Sequence, residues 1–199
     1  GTTAPSKTYD GTNTATVTGG SLSGTKGSES ITLTQAGTYS SVDAGSNISI
    51  TMNDSVSGTG VSTNYSLTQP TVTGTINKAP LGITVSGIYS GSTTLSPSSF
   101  TTTGLVNSET ISTLTSATLN SKNVADNTTN YVSAIAINSG TANASNYQIT
   151  QARNASSGTT QNTVSLSAAP LTVTGTTAPS KTYDGTNTAT VTGGSLSGT

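Results

Sequence analysis

Residues 79–86 read Ala-Pro-Leu-Gly-Ile-Thr-Val-Ser. Leu81, Ile83 and Val85 alternate with Gly82, Thr84 and Ser86. A period of two sends successive side chains to opposite faces, so one face is buried and the other wetted. The same alternation recurs at Leu171 and Val173, at Ile31 and Leu33, and at Ile48, Ile50 and Met52. It recurs again at Val72, Gly74 and Ile76, and at Ile135 and Ile137. Threonine suits the wet face because it is both β-branched and polar. Asp10-Gly11, Gly19-Gly20 and Asp43-Ala44-Gly45 supply turn chemistry between these runs. No segment pairs a 3.6-residue apolar stripe with helix caps. The expectation is all-β: tandem antiparallel β-sandwich units of about six to eight strands each.

The chain repeats itself. Residues 1–25, GTTAPSKTYDGTNTATVTGGSLSGT, return letter for letter at 175–199, and Lys7 and Lys181 mark a spacing of 174 residues. An identity this long points to recent duplication of a block. Two related units lie inside the block. Asn64-Tyr65-Ser66-Leu67-Thr68-Gln69 is echoed by Asn146-Tyr147-Gln148-Ile149-Thr150-Gln151. Ala79-Pro80-Leu81 is echoed by Ala169-Pro170-Leu171. The motif around Lys7, Tyr9, Asp10 and Gly11 is matched loosely by Ile88-Tyr89-Ser90-Gly91 and fully by Lys181, Tyr183, Asp184 and Gly185. Units are therefore expected at 1–76, 77–167 and 168–199. The third has about 32 residues, too few to bury a core. The first lacks an Ala-Pro-Leu strand before Gly1, so that strand is absent or supplied by a neighbour. The segment Asn77-Lys78-Ala79-Pro80 reads as a short, stiff, Pro-containing linker.

Composition narrows the function classes. Serine and threonine make up roughly two-fifths of the chain. Charged residues are 7%, and there is no Cys, His or Trp. Six basic and seven acidic residues leave a net charge of −1. That is too little for a nucleic-acid footprint or an anionic membrane surface. No apolar run reaches the length of a membrane span, so no membrane insertion is expected.

Catalytic constellations are weak. Ser23-Gly24-Thr25-Lys26 matches Ser-x-x-Lys, but that chemistry needs a helical turn between the two side chains. Without His there is no Ser-His or Cys-His pair. The carboxylates at 10, 29, 43, 54, 109, 126 and 184 are scattered, whereas calcium needs several together. Asp10 reads instead as a turn residue or a local partner of Lys7. An isopeptide staple at Lys7 or Lys181 would need a buried Lys, Asn and carboxylate together. The ordinary reading is a solvated Lys with its stem packed on Tyr9. No enzyme activity, metal or cofactor is expected.

At this point the motifs resemble a known family. KTYDGTNTATV, followed by NYSLTQPTVTGTI and KAPL, is similar to the YDG-type repeats. These sit with the bacterial Ig-like (MBG) repeats of large secreted Gram-negative adhesins, the filamentous-haemagglutinin-like exoproteins. The resemblance is close over Lys7–Val17, Asn64–Leu81 and Ala169–Val191, and weaker around Tyr89. It implies an Ig-like outline, an extracellular or cell-surface location, and no catalytic residue. The expected role is a rod-like spacer in an adhesin stalk or surface fibre, with neighbouring copies of the repeat as partners. The rival is a carbohydrate-binding module for a host or matrix surface glycan. That would need exposed aromatics, and Tyr39, Tyr89, Phe100 and Tyr131 are the candidates outside the repeated motifs.

Overall fold

The computed structural model describes residues 1–58 and 61–198. It is mostly strand with almost no helix, and none of its helices is long and apolar enough to cross a membrane. The first unit holds β1 (Lys7–Thr8), β2 (Thr14–Ala15), β3 (Thr32–Thr34), β4 (Gly37–Tyr39), β5 (Gly45–Met52), β6 (Ser55–Ser57) and β7 (Val72–Asn77). Five of these form one sheet in the order β1-β7-β5-β4-β2, and β3 pairs with β6. The second unit holds β8 (Ala79–Ile88), β9 (Thr94–Leu95), β10 (Ser99–Thr103), β11 (Ile111–Leu119), β12 (Val132–Gly140), β13 (Tyr147–Ile149) and β14 (Asn162–Ser167). There β12-β11-β9 make one sheet. The other is organised around β8, with β10 on it antiparallel and β13 and β14 parallel. Finally β15 (Thr172–Thr174) pairs with β16 (Ser195–Ser197).

Two expectations need correction. The sheets are mixed rather than purely antiparallel: β1 on β7, and β13 and β14 on β8, run parallel. A parallel pair needs a long crossover, and here the chain passes through several other strands before returning. The four-residue linker is also shorter than expected. Asn77 ends β7 and Ala79 begins β8, so only Lys78 lies between strands. Pro80 is inside β8, close to its start, where a missing N–H is tolerated.

The strand quoted at the outset serves two cores. Ala79 and Leu81 pack with Tyr9, Tyr39, Ile50, Val72 and Ile76 of the first unit, together with Tyr147. Ile83 and Val85 pack with Leu119, Val132, Val164 and Leu166. Leu81, Ile83 and Val85 are at most 1% exposed. Burial of each contributes roughly 1.5–3 kcal/mol.

With so few large apolar side chains, side-chain amides tie the backbone together, Asn130 and Asn162 from within the core. Asn162, Asn130, Asn127 and Gln69 each behave as a short extra strand, accepting from a backbone N–H and donating to the C=O of the same residue. Their partners are Val132, Ser121, Leu166 and Asp54, respectively. Asn127 heads an Asn-Thr-Thr sequence, and its amide is committed to Leu166.

Tyr39 is 2% exposed and its hydroxyl finds no partner among the described residues. It fits because residue 74 is glycine: a Cβ there would lie 2.6 Å from the Tyr39 hydroxyl. An unpaired buried hydroxyl costs about 1–3 kcal/mol. Tyr39→Phe is therefore expected to raise stability by about 1 kcal/mol in urea unfolding. A destabilised Tyr39→Phe chain would show that the hydroxyl has a partner after all.

Candidate functional site

Of the residues that the repeated motifs singled out, Tyr9, Asn146 and Tyr147 meet where residues 1–76 and 77–167 adjoin. Tyr9 is 4% exposed and Tyr147 is 5% exposed. Their rings meet edge to face, with centroids 5.6 Å apart and an interplanar angle of 80°. Both hydroxyls donate to one carboxylate: Tyr9 to Glu109 Oε1, and Tyr147 to Glu109 Oε2 at 2.5 Å. The Tyr147 hydroxyl also accepts from the Val106 N–H at 3.1 Å. Burial, reinforced by the Glu109 carboxylate, pushes the Tyr147 phenol up to about 12. The same two causes raise Tyr9.

A second contact lies beside this cluster. Asn146 is 1% exposed. Its Oδ1 accepts from the Ala44 N–H at 2.9 Å, and its Nδ2 donates to Asp43 at 2.8 Å. Thus the turn at Asp43-Ala44-Gly45 and the Tyr9 turn of the first unit grip two neighbouring points on the second. The loop that carries Glu109 is shaped for this by left-handed backbone at Asn107 (φ 49°) and Ser108 (φ 59°).

Lys7, Asp10 and Gly11 build the turn that presents Tyr9. The Asp10 carboxylate accepts from the Thr12 N–H at 2.9 Å and pairs with Lys7 Nζ at 2.8 Å. Burial raises the Asp10 carboxyl, but Lys7 and Thr12 outweigh it and hold the group below its ordinary value. Lys7 Nζ further donates to the Thr12 and Thr14 carbonyls, so it serves as a turn clamp. Among the described residues its partners are Asp10, Thr12 and Thr14.

The identical segment at 175–199 separates what this sequence does alone from what packing adds. Lys181 pairs with Asp184 at 2.8 Å, Asp184 accepts from the Thr186 N–H at 3.0 Å, and Gly185 has φ 72° against 73° at Gly11. The turn is therefore local chemistry. Yet Tyr183 is 92% exposed where Tyr9 is buried, and Pro170 through Gly198 are exposed throughout. Burial of the tyrosine is tertiary. Other motif residues make separate contacts or none with this cluster: Asn64 is exposed, Tyr65 bonds to Glu29 and the Lys26 N–H, and Tyr89, 37% exposed, follows the end of β8.

The two glycines give a matched test. A Cβ on Gly11 would lie 2.7 Å from Asn107 Cβ, whereas one on Gly185 meets nothing within 4 Å. Gly11→Ala is expected to cost about 2–4 kcal/mol, from positive φ and overpacking together. Gly185→Ala should leave global unfolding unchanged, since its segment buries no core. Equal melting-temperature shifts for the two variants would refute a tight joint at Gly11.

Glu109 stood in the sequence only as one scattered carboxylate. A signal was present: Gly27-Ser28-Glu29-Ser30-Ile31 and Asn107-Ser108-Glu109-Thr110-Ile111 repeat the same pattern, each followed downstream by Asn-Tyr. In the first unit Tyr65 indeed donates to Glu29 and accepts from the Lys26 N–H at 2.9 Å. Among the glycan candidates, Tyr39 is withdrawn from any binding surface by its burial behind Gly74.

The fold is all-β, and Ala79, Leu81 and Tyr147 share one core cluster with residues of the first 76. Residues 1–73 match the family model of the YDG domain, so the first unit is a YDG-type repeat. No curated protein and no solved structure gave a significant match.

Proposed function

We propose that the chain is a structural spacer: a pair of Ig-like β-sandwich repeats acting as a rod-like section of a bacterial adhesin stalk or surface fibre, outside the cell. The carrying observation is the joint. One residue, Lys78, separates β7 from β8, and Tyr9, Glu109 and Tyr147 lock the units through side chains as well as backbone. A long linker would let neighbouring units swing, whereas a shared core resists bending. Partners under this reading are other copies of the repeat, and no catalytic, metal-binding or cofactor role is assigned. Low charge also favours self-association over steering of charged ligands.

The test is the shape of tandem arrays. Proteins carrying one, two and four copies of the 174-residue block should show a maximum dimension in small-angle X-ray scattering that grows in proportion to copy number. Growth closer to the square root of copy number would mean freely jointed beads and would end the spacer reading. The glycan-binding alternative makes a different forecast, saturable binding on a glycan array by the two-unit chain. The burial of Tyr39 weakens it.

A further inference from the structure

Among the described residues β12 is the longest strand with an unpaired edge. In the order β12-β11-β9 it has β11 on one side and no strand on the other. It runs nine residues, whereas every other strand at the end of a sheet path runs two to five. The outer edge of β14 is tied down by Asn127 on Leu166 and by the Asn154–Asn162 bridge. Side-chain amides cover only the start of the β12 edge. Asn162 takes the N–H and C=O of Val132, and Gln151 donates to the Ser133 C=O at 3.0 Å. Further along, the side chains of Asn138 and Ser139 turn the other way, to Thr113 on β11.

Sheets protect an exposed edge with charge, proline or a bulge. Val132–Gly140 carries no charged residue and no proline. Its bulged positions are Ser133 and Asn138, so Ala134–Ile137 runs without interruption. Ala134 and Ala136 are exposed, and Ile135 and Ile137 are half-buried. These isoleucines line an open cleft of about 670 Å³ together with Leu81, Ile111 and Ile149. The cleft lies among β8, β11, β12 and β13, all strands of the second unit, so the strands packed opposite do not close over the edge.

We propose that the β12 edge of one copy of this chain pairs antiparallel with the β12 edge of a second copy, joining two three-stranded sheets into one. The main chain supplies the affinity, as in other strand additions. A pairing centred on Ala136 sets Ile135 beside the partner's Ile137 and Ala136 beside the partner's Ala136, with matching faces together. A two-fold contact needs only one self-complementary surface, and a strand without charge brings no like charges opposite each other. Ala134–Gly140 offers about 24 Å of edge. Contact along it would bury on the order of 1,000 Å² in total, the lower limit for a specific interface, so the association is reversible. The proposal goes beyond the spacer reading, which concerns neighbours within one chain, and adds side-by-side contact between chains.

Analytical ultracentrifugation of the 199-residue chain should show a monomer–dimer equilibrium with a dissociation constant on the order of 10–100 µM. Ala136→Lys places a charge at an exposed position on the edge and should weaken the dimer at least about tenfold. Thr101→Lys, equally exposed on the end strand β10 of another sheet, should leave it unchanged. Hydrogen exchange of the native chain should slow with rising concentration at amides within Ala134–Ile137. A chain that stays monomeric to about 1 mM would overturn the pairing. So would a dimer indifferent to Ala136→Lys, an equal loss from Thr101→Lys, or concentration-dependent protection elsewhere. If circular dichroism shows that Ala136→Lys does not fold, exchange on the native chain decides alone. A monomer whose tandem arrays are stiff would remove the pairing and leave the spacer reading standing. A β12-paired dimer whose arrays behave as loose beads would do the reverse.

Discussion

Asn162→Ala is expected to cost about 3–5 kcal/mol, enough to unfold the second unit ahead of the first. Asn162 is fully buried. Its Oδ1 accepts from the Val132 N–H at 2.8 Å, and its Nδ2 donates to the Val132 and Thr150 carbonyls at 2.8 and 2.7 Å. Truncation removes all three bonds and leaves backbone groups buried without partners. Urea unfolding followed by hydrogen exchange would separate the units. A useful control is Asn138→Ala, which removes one exposed bond to Thr113 and should change stability by less than about 0.5 kcal/mol. Similar costs for the two variants would sink the argument that buried amides stand in for apolar mass.

The second large effect is a loss of stability in alkali. An ordinary tyrosine titrates near 10. Burial and Glu109 raise Tyr147 to about 12 in the folded chain. Below the ordinary value both states hold the proton, and the stabilising contribution is complete. Between pH 10 and pH 12 the unfolded chain releases the proton while the folded chain keeps it. Stability must then fall as pH rises, by at most about 2–3 kcal/mol from Tyr147. Tyr9, raised for the same reasons, pulls in the same direction. The urea midpoint of the native chain should therefore drop across this range, and Tyr147→Phe should flatten the drop. An alkaline profile unchanged by Tyr147→Phe would show that the phenol is not held as described.

Much of the fold was legible from alternation. Leu81, Ile83 and Val85 are buried as their period requires, and Ile50 and Met52 likewise. The Lys7-Asp10-Gly11 turn was legible too, because its chemistry is local, and the copy at Lys181–Gly185 reproduces it with no core beneath. What could not be read is what depends on long-range packing. Tyr9 stands in a local turn motif, yet its hydroxyl donates to Glu109, 100 residues away in the chain. Alternation reports which face of a strand is wet, not which strand lies beside it, so the parallel returns of β13 and β14 onto β8 left no trace. Pro80 illustrates the same limit. In sequence it punctuates, but in the folded chain it stands near the start of the strand that joins both cores.

The short joint and the exact return of residues 1–25 at 175–199 bear on how such a chain changes over generations. A block that opens on the same 25 residues as its successor meets the next block through the same sequence. Recombination in register between such segments would add or delete a whole block. Under the spacer reading every resulting boundary is one the protein already knows how to fold. Length thus becomes a trait that varies in fixed steps, with no new interface to evolve at any of them.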